Sequence, residues 1–151
     1  MTPEPRIAPI DESEFEALLP LIAAYQEFYE AEDVSTERNR AFFRRFLAPS
    51  RVGMLIGAWR GEELRGYACL YWHFSSTKAV EMVLMNDLFV VPEARGEGVG
   101  RALIEASAEI ARKRGAGGVE WSTAPDNVRA QALYDTTGAE RSTWISYELP
   151  A

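Results

Sequence analysis

Apolar residues repeat along this chain in two rhythms, and the changes between them mark out its elements. Val99, Ala102, Leu103, Ala106 and Ile110 stand at i, i+3, i+4, i+7 and i+11, the stripe of a helix packed on a sheet, which predicts a helix from about Gly98 to Arg114. Phe42, Phe43, Phe46 and Leu47 repeat at the same spacing in "TERNRAFFRRFLA", with Ser35 placed to cap that helix. Asp11 and Glu14 form a capping pair ahead of "FEALLPLIAAYQEFYEAE", a helix that Pro20 is expected to kink or interrupt. Strand-like runs then follow with short connections: "VGMLIGAWR", "LRGYACLYWHFS" and "AVEMVLMNDLFVV", an antiparallel meander. Beyond the glycine-rich turn and its helix come a strand "GVEWSTA", a helix "DNVRAQALYDTTG" capped by Asp126 and stopped at Gly138, and a last strand "RSTWISYEL". The order βααβββαβαβ predicts an α+β domain with a strand–helix–strand crossover in its C-terminal half.

The 151 residues suit one domain, 1–151. Composition narrows the classes further. An apolar fraction of 47% with 26% charged residues is that of a globular protein, and no apolar run reaches the length of a membrane span. The net charge of −7 argues against nucleic-acid binding, which needs clustered Lys and Arg. Cys69 is the only cysteine and sits in the apolar run "GYACLYW", so it reads as a buried thiol, and the absence of disulfides and of a secretory leader fits a cytoplasmic protein. His73 is the sole histidine, which leaves no His-based metal cluster; the expectation is no metal, no nucleic acid and no membrane.

The chemistry concentrates in "VVPEARGEGVGRALIE", which puts Gly96, Gly98 and Gly100 between a strand and a helix. Backbone N–H groups of a helix N-terminus lack helical partners and carry the positive end of the dipole, so this turn suits an anion such as a phosphate. Known phosphate signatures do not fit. A P-loop needs a lysine, and none occurs from Glu81 to Arg112; a dinucleotide fingerprint fails where Arg101 follows Gly98 and Leu103 follows Gly100.

The letters do fit RxxGxG, with Arg95, Gly98 and Gly100, and a second pattern, NxxAxxLYxxxGA, is matched by Asn127, Ala130, Leu133, Tyr134, Gly138 and Ala139. The two together resemble the GNAT superfamily of N-acetyltransferases, within it most of all the diamine (spermidine/spermine) acetyltransferases. The resemblance implies the GNAT fold, a mixed central sheet of about six to seven strands flanked by about four helices, and transfer of an acetyl group from acetyl-CoA to a primary amine by direct attack in a ternary complex. The acceptor is a small amine, a polyamine or an amino-acid-like amine; the alternatives are a protein N-terminal or lysine acetyltransferase and a non-catalytic acyl-CoA sensor. A homodimer is implied in the same way.

Residue roles follow from the resemblance. The turn Arg95, Gly96, Glu97, Gly98, Val99, Gly100 and Arg101 is expected to bind the pyrophosphate of CoA. Leu88, Phe89 and Val90 are expected to bind acyl group and pantetheine through their main chain, with an N–H as oxyanion donor. Asn127, Ala130 and Tyr134 complete the cofactor set, and Tyr134 matches the position of a general acid. The family pattern has Glu-Asp where this chain has Asn86-Asp87, so Asp87 is the remaining candidate to orient the amine or relay its proton. Two polar residues in an otherwise apolar central strand also predict a bulge or a cavity there, because adjacent strand residues face opposite sides. For the acceptor, Tyr25, Glu27, Tyr29 and Glu30 supply an acidic and aromatic mixture suited to an amine, with Asn86, Asp87 and Trp144 alongside.

Overall fold

The computed structural model describes residues 2–151, which form two compact units, one up to Trp121 and one from Ser122 to Ala151. The first unit contains β1 (Arg6–Pro9), α1 (Phe15–Phe28), α2 (Thr36–Phe43), β2 (Gly53–Arg60), β3 (Glu63–Ser75), β4 (Val80–Val90), α3 (Val99–Arg114) and β5 (Val119–Glu120). The second contains α4 (Val128–Tyr134). The five strands lie in sequence order, antiparallel from β1 to β4, and β5 is parallel to β4 after the α3 crossover. The meander and the crossover are as the pattern predicts. The sheet has five strands, fewer than expected, because "GVEWSTA" pairs only through Val119 and Glu120 and the segment from Arg141 to Leu149 forms no strand.

Local signals place the helices. Asp11 Oδ1 accepts the Glu14 N–H at 3.0 Å while Glu14 Oε1 accepts the Asp11 N–H at 3.1 Å, a reciprocal cap that satisfies two donors ahead of α1. Ser35 Oγ accepts the Arg38 N–H at 3.2 Å and starts α2. Pro20 does not interrupt α1, which runs unbroken through it; burial of Phe15, Leu18, Leu19 and Ile22 on its inner face outweighs the one backbone bond a proline removes. These side chains meet Leu55, Trp59, Tyr67, Cys69 and Phe89 in the core between the first helices and the sheet. On the other face, α3 lies close enough that a Cβ on Gly66 would meet Val99 and Leu103. The Cys69 thiol is buried, which pushes its pKa well up and keeps it from being a nucleophile at neutral pH.

Candidate functional site

The register between β3 and β4 contains the irregularity that builds the site. Cys69 pairs with Asp87 and Leu70 with Met85, so Asn86 is an extra residue with no opposite number, a β-bulge. Its consequence is a reversal of the side-chain alternation. Met85, before the bulge, touches Ser107 of α3, whereas Asp87, after it, meets Tyr67 on the α1 side of the sheet. The bulge thus turns a carboxylate into the layer between the sheet and α1 and α2, without disturbing the apolar face that packs on α3.

Asp87 is 3% exposed, and both of its oxygens are held. Tyr67 Oη donates to Oδ2 at 3.0 Å and Asn86 Nδ2 donates to Oδ1 at 2.7 Å. Burial disfavours the charged form and raises its pKa to about 6, against the opposing pull of the two hydrogen bonds. Tyr67 is itself fully buried, and desolvation followed by the neighbouring Asp87 pushes its hydroxyl up, so it remains a neutral donor. Asp87 and Asn86 line a pocket of about 360 Å³ with Tyr25, whose hydroxyl donates to the Asn86 carbonyl at 3.2 Å. Gln26 and Asn39 form one wall by a reciprocal pair of amide hydrogen bonds, each 2.8 Å. Phe42, Phe43 and Tyr71 give it apolar surface, and Arg38 brings a positive charge. The volume is at the lower end of small-molecule sites.

Downstream of the bulge, β4 presents a free edge. β5 pairs only with Val83 and Leu84. Val91 N–H reaches Arg65 across β3, while the Val90 carbonyl accepts Arg95 Nε at 3.1 Å, so by strand alternation the main-chain groups of Leu88 and Val90 point away from β3; those of Phe89 point toward it. The turn after β4 then holds Gly96 and Gly98 at φ 84° each, a conformation that favours glycine, and a Cβ on either would meet nothing within 4 Å. The α3 ladder opens with Ala102 N–H donating to the Gly98 carbonyl at 3.0 Å, which leaves the N–H groups of Val99 and Gly100 at the positive end of a sixteen-residue helix. This is an open cradle of backbone donors that fits a pyrophosphate.

One residue without any sequence signal braces that cradle. Arg60, at the end of β2, donates from Nη2 to the Glu97 carbonyl at 3.0 Å, and its Nε lies 3.6 Å from Glu97 Oε2. In a trans peptide C=O and N–H point opposite ways, so fixing the Glu97 carbonyl on Arg60 turns the Gly98 N–H to the other side of the turn. The same contact holds the one acidic side chain of the turn against a cation. Arg95 is packed over the rings of Phe28 and Phe89.

Of the residues singled out for the acceptor, Tyr25, Asn86 and Asp87 come together in the pocket; Glu27, Tyr29 and Glu30 are exposed and outside its lining. In the second unit, Asn127 rather than Asp126 caps α4, its Oδ1 accepting the Ala130 N–H at 3.2 Å; Tyr134 is the last residue of that helix; Trp144 is 86% exposed. His73 Nε2, on β3, lies 3.1 Å from Glu120 Oε1 on β5, across the intervening β4. Arg38, Gln26, Asn39, Tyr67 and Tyr71 were not legible as site residues. Only the period-2 repeat Tyr67, Cys69, Tyr71, which puts all three on one face, carried a signal.

Comparison with known proteins accords with this geometry. The Acetyltransferase (GNAT) family model matches residues 18–139. The chain is 36% identical over 132 residues to the uncharacterized N-acetyltransferase YhfO of Bacillus subtilis, covering 87% of each. It is 35% identical over 130 residues to the D-amino-acid N-acetyltransferase HPA3 of Saccharomyces cerevisiae, covering 85% of this chain and 78% of that one. A crystal structure described as a probable acetyltransferase superposes with a TM-score of 0.84 at 30% identity over 97% of both chains. The bulged β4, its free edge and the glycine cradle therefore belong to an acetyltransferase enzyme of the GNAT family.

Proposed function

We propose that this enzyme transfers the acetyl group of acetyl-CoA to a primary amine of a small molecule, by direct attack in a ternary complex and without a metal. The observation that carries the reading is Asp87, a buried carboxylate with a pKa near 6 on a pocket wall, one residue before the free main-chain edge of β4. On this reading the open glycine cradle takes the pyrophosphate of CoA, with Arg95 through Arg101 around it, and Leu88 and Val90 hold pantetheine and acyl group through their backbone groups. Acetyl-CoA supplies an activated thioester carbonyl. A Leu88 or Val90 N–H stabilises the negative charge developing on that oxygen, a contact worth on the order of 3 kcal/mol.

An alkylammonium has a pKa of roughly 10 and must lose a proton before it can attack. Asp87 accepts that proton, directly or through a water, and its pKa near 6 keeps it ionised at neutral pH while leaving it basic enough to serve. The amine nitrogen bonds to the acyl carbon and gives up its second proton to solvent, the carbon–sulfur bond breaks, and Tyr134 supplies the proton to the departing sulfur and is reprotonated from solvent. The role of Tyr134, like those of Asn127 and Ala130 in CoA binding, rests on the motif match. The acceptor of the yeast relative, a D-amino acid by its name, is a small amine of the size such a pocket takes. The remaining parts of the reading, a single domain over 1–151, a homodimer and a cytoplasmic location, rest on the resemblance and on composition.

Release of free CoA thiol from acetyl-CoA, followed across polyamines, amino acids, aminoglycosides and peptides, tests the proposal. Turnover with a small amine that is lost in Asp87→Asn supports it. Acetyl-CoA binding without turnover of any amine would leave a sensor, and preference for peptides would move the acceptor to protein termini or lysines.

A further inference from the structure

Arg38 and Asp87 line the same 360 Å³ pocket and are the only charged residues of its lining. We infer that the acceptor is a zwitterion, an amino acid whose carboxylate docks on Arg38 while its reacting amine lies at Asp87, and that diamines and polyamines are poor substrates. The inference rests on the acetyl-transfer reading above and narrows its acceptor.

Arg38 stands in the first turn of α2, and the loop before that helix fixes its head. Nη1 donates to Asp33 Oδ2 at 3.3 Å, and Nη2 donates to the Asp33 carbonyl. A guanidinium has five N–H donors, so this tether orients the group and leaves three for a ligand. The tether does not cancel the charge within the pocket: both partners are largely exposed, 60% and 83%, and such pairs are weak in water. A carboxylate accepts well from a planar guanidinium held in place. A second ammonium at the same spot would meet a like charge instead. The lining also carries one carboxylate, Asp87, and Asn86 beside it is neutral. The pocket therefore offers one negative and one positive group, which matches an amino acid and mismatches a diamine. Gln26 and Asn39 bond each other and add no charge.

The test compares each amino acid with an amine whose carboxylate is removed or neutralised: lysine with cadaverine and leucine with isopentylamine by removal, and leucine with leucinamide by neutralisation. The enzyme is expected to favour the acids by at least about 10-fold in kcat/KM, the scale of one charge-assisted hydrogen-bonded contact. Arg38→Gln should lower kcat/KM for the acids by about 10–100-fold, mostly through KM, change it for the decarboxylated amines by much less, so that the preference for the acids is lost, and keep thermal protection by acetyl-CoA. Arg38→Lys should restore part of the preference. Equal turnover of lysine and cadaverine by the parent enzyme, or a preference that survives Arg38→Gln, overturns the zwitterion inference while leaving acetyl transfer intact. Acetylation of no amine at all removes the acetyl-transfer reading, and the inference falls with it.

Discussion

Replacing Asp87 with asparagine keeps the shape of the side chain and removes a charge from a site that is 3% exposed. Burial lifts this carboxyl from the ordinary aspartate range to a pKa of about 6, so folding costs the charged form about 3 kcal/mol at neutral pH, at 1.36 kcal/mol for each tenfold change in proton affinity. The asparagine also disturbs one hydrogen bond. Tyr67 can still donate to an amide oxygen, but Asn86 Nδ2 would face an NH₂ unless one amide turns, a loss of about 1 kcal/mol. The expected net gain is about 2 kcal/mol, or about 4–8 °C in Tm for a chain of this size. The sign follows from proton linkage. A raised carboxyl binds its proton more tightly when folded, so the parent loses stability as pH rises from about 4 to 6 and stays lower above that. The advantage of Asp87→Asn should therefore be full at pH 7–8, shrink through pH 6 to 4 and give way below pH 4 to a deficit of about 1 kcal/mol, where only the disturbed hydrogen bond remains. Activity should move oppositely, with the parent's kcat/KM falling below pH 6 as Asp87 takes up its proton and the variant nearly inactive throughout. Thermal melts across pH 3–8 with thiol-release kinetics decide the matter. A variant less stable than the parent at pH 8, or a stability difference that does not change with pH, would refute the account of Asp87 as a buried charge.

Arg60→Met should raise KM for acetyl-CoA by about 10-fold with kcat nearly kept, the loss of one charge-assisted contact, since Arg60 acts on the cradle through the Glu97 carbonyl; an unchanged KM would mean that the turn holds its shape unaided. Gly98→Ala, at φ 84°, should cost about 1–2 kcal/mol of stability and weaken the thermal protection given by acetyl-CoA. Tyr134→Phe should lower kcat by roughly 100-fold while acetyl-CoA still protects the fold, whereas a sensor would bind acetyl-CoA as before.

Much of the fold was legible because its determinants are local. The Asp11 and Glu14 cap, the Ser35 cap and the Val99 to Ile110 stripe each involve residues within a few positions of one another, and each is where the spacing puts it. The polar pair at Asn86 and Asp87 also announced a bulge or a cavity, since adjacent residues of a central strand face opposite sides. What failed depended on partners far away in sequence. The segment Arg141–Leu149 has an alternating pattern, but a strand exists only where another strand takes its hydrogen bonds, and periodicity cannot supply one. Pro20 is tolerated because of what α1 buries. Arg60 reaches a turn 37 residues on, and Arg38, Asn39 and Tyr71 enter the pocket only because α2 and β3 pack beside β4.

The exchange at position 86 ties the acceptor to the chemistry. A glutamate there, as in the diamine acetyltransferase pattern, accepts hydrogen bonds and at neutral pH donates none; beside Asp87 it would place two carboxylates in contact and drive one of them toward protonation. Asparagine donates to Asp87 Oδ1 at 2.7 Å instead, stabilising the ionised form and lowering a pKa that burial has raised. The same exchange removes one negative charge from the pocket that Arg38 also lines. With a glutamate the pocket would carry a surplus of negative charge and suit a dication; with asparagine its charges balance. The substitution that takes away one candidate base thus tunes the other, Asp87, and on the zwitterion inference it also turns the pocket away from diamines.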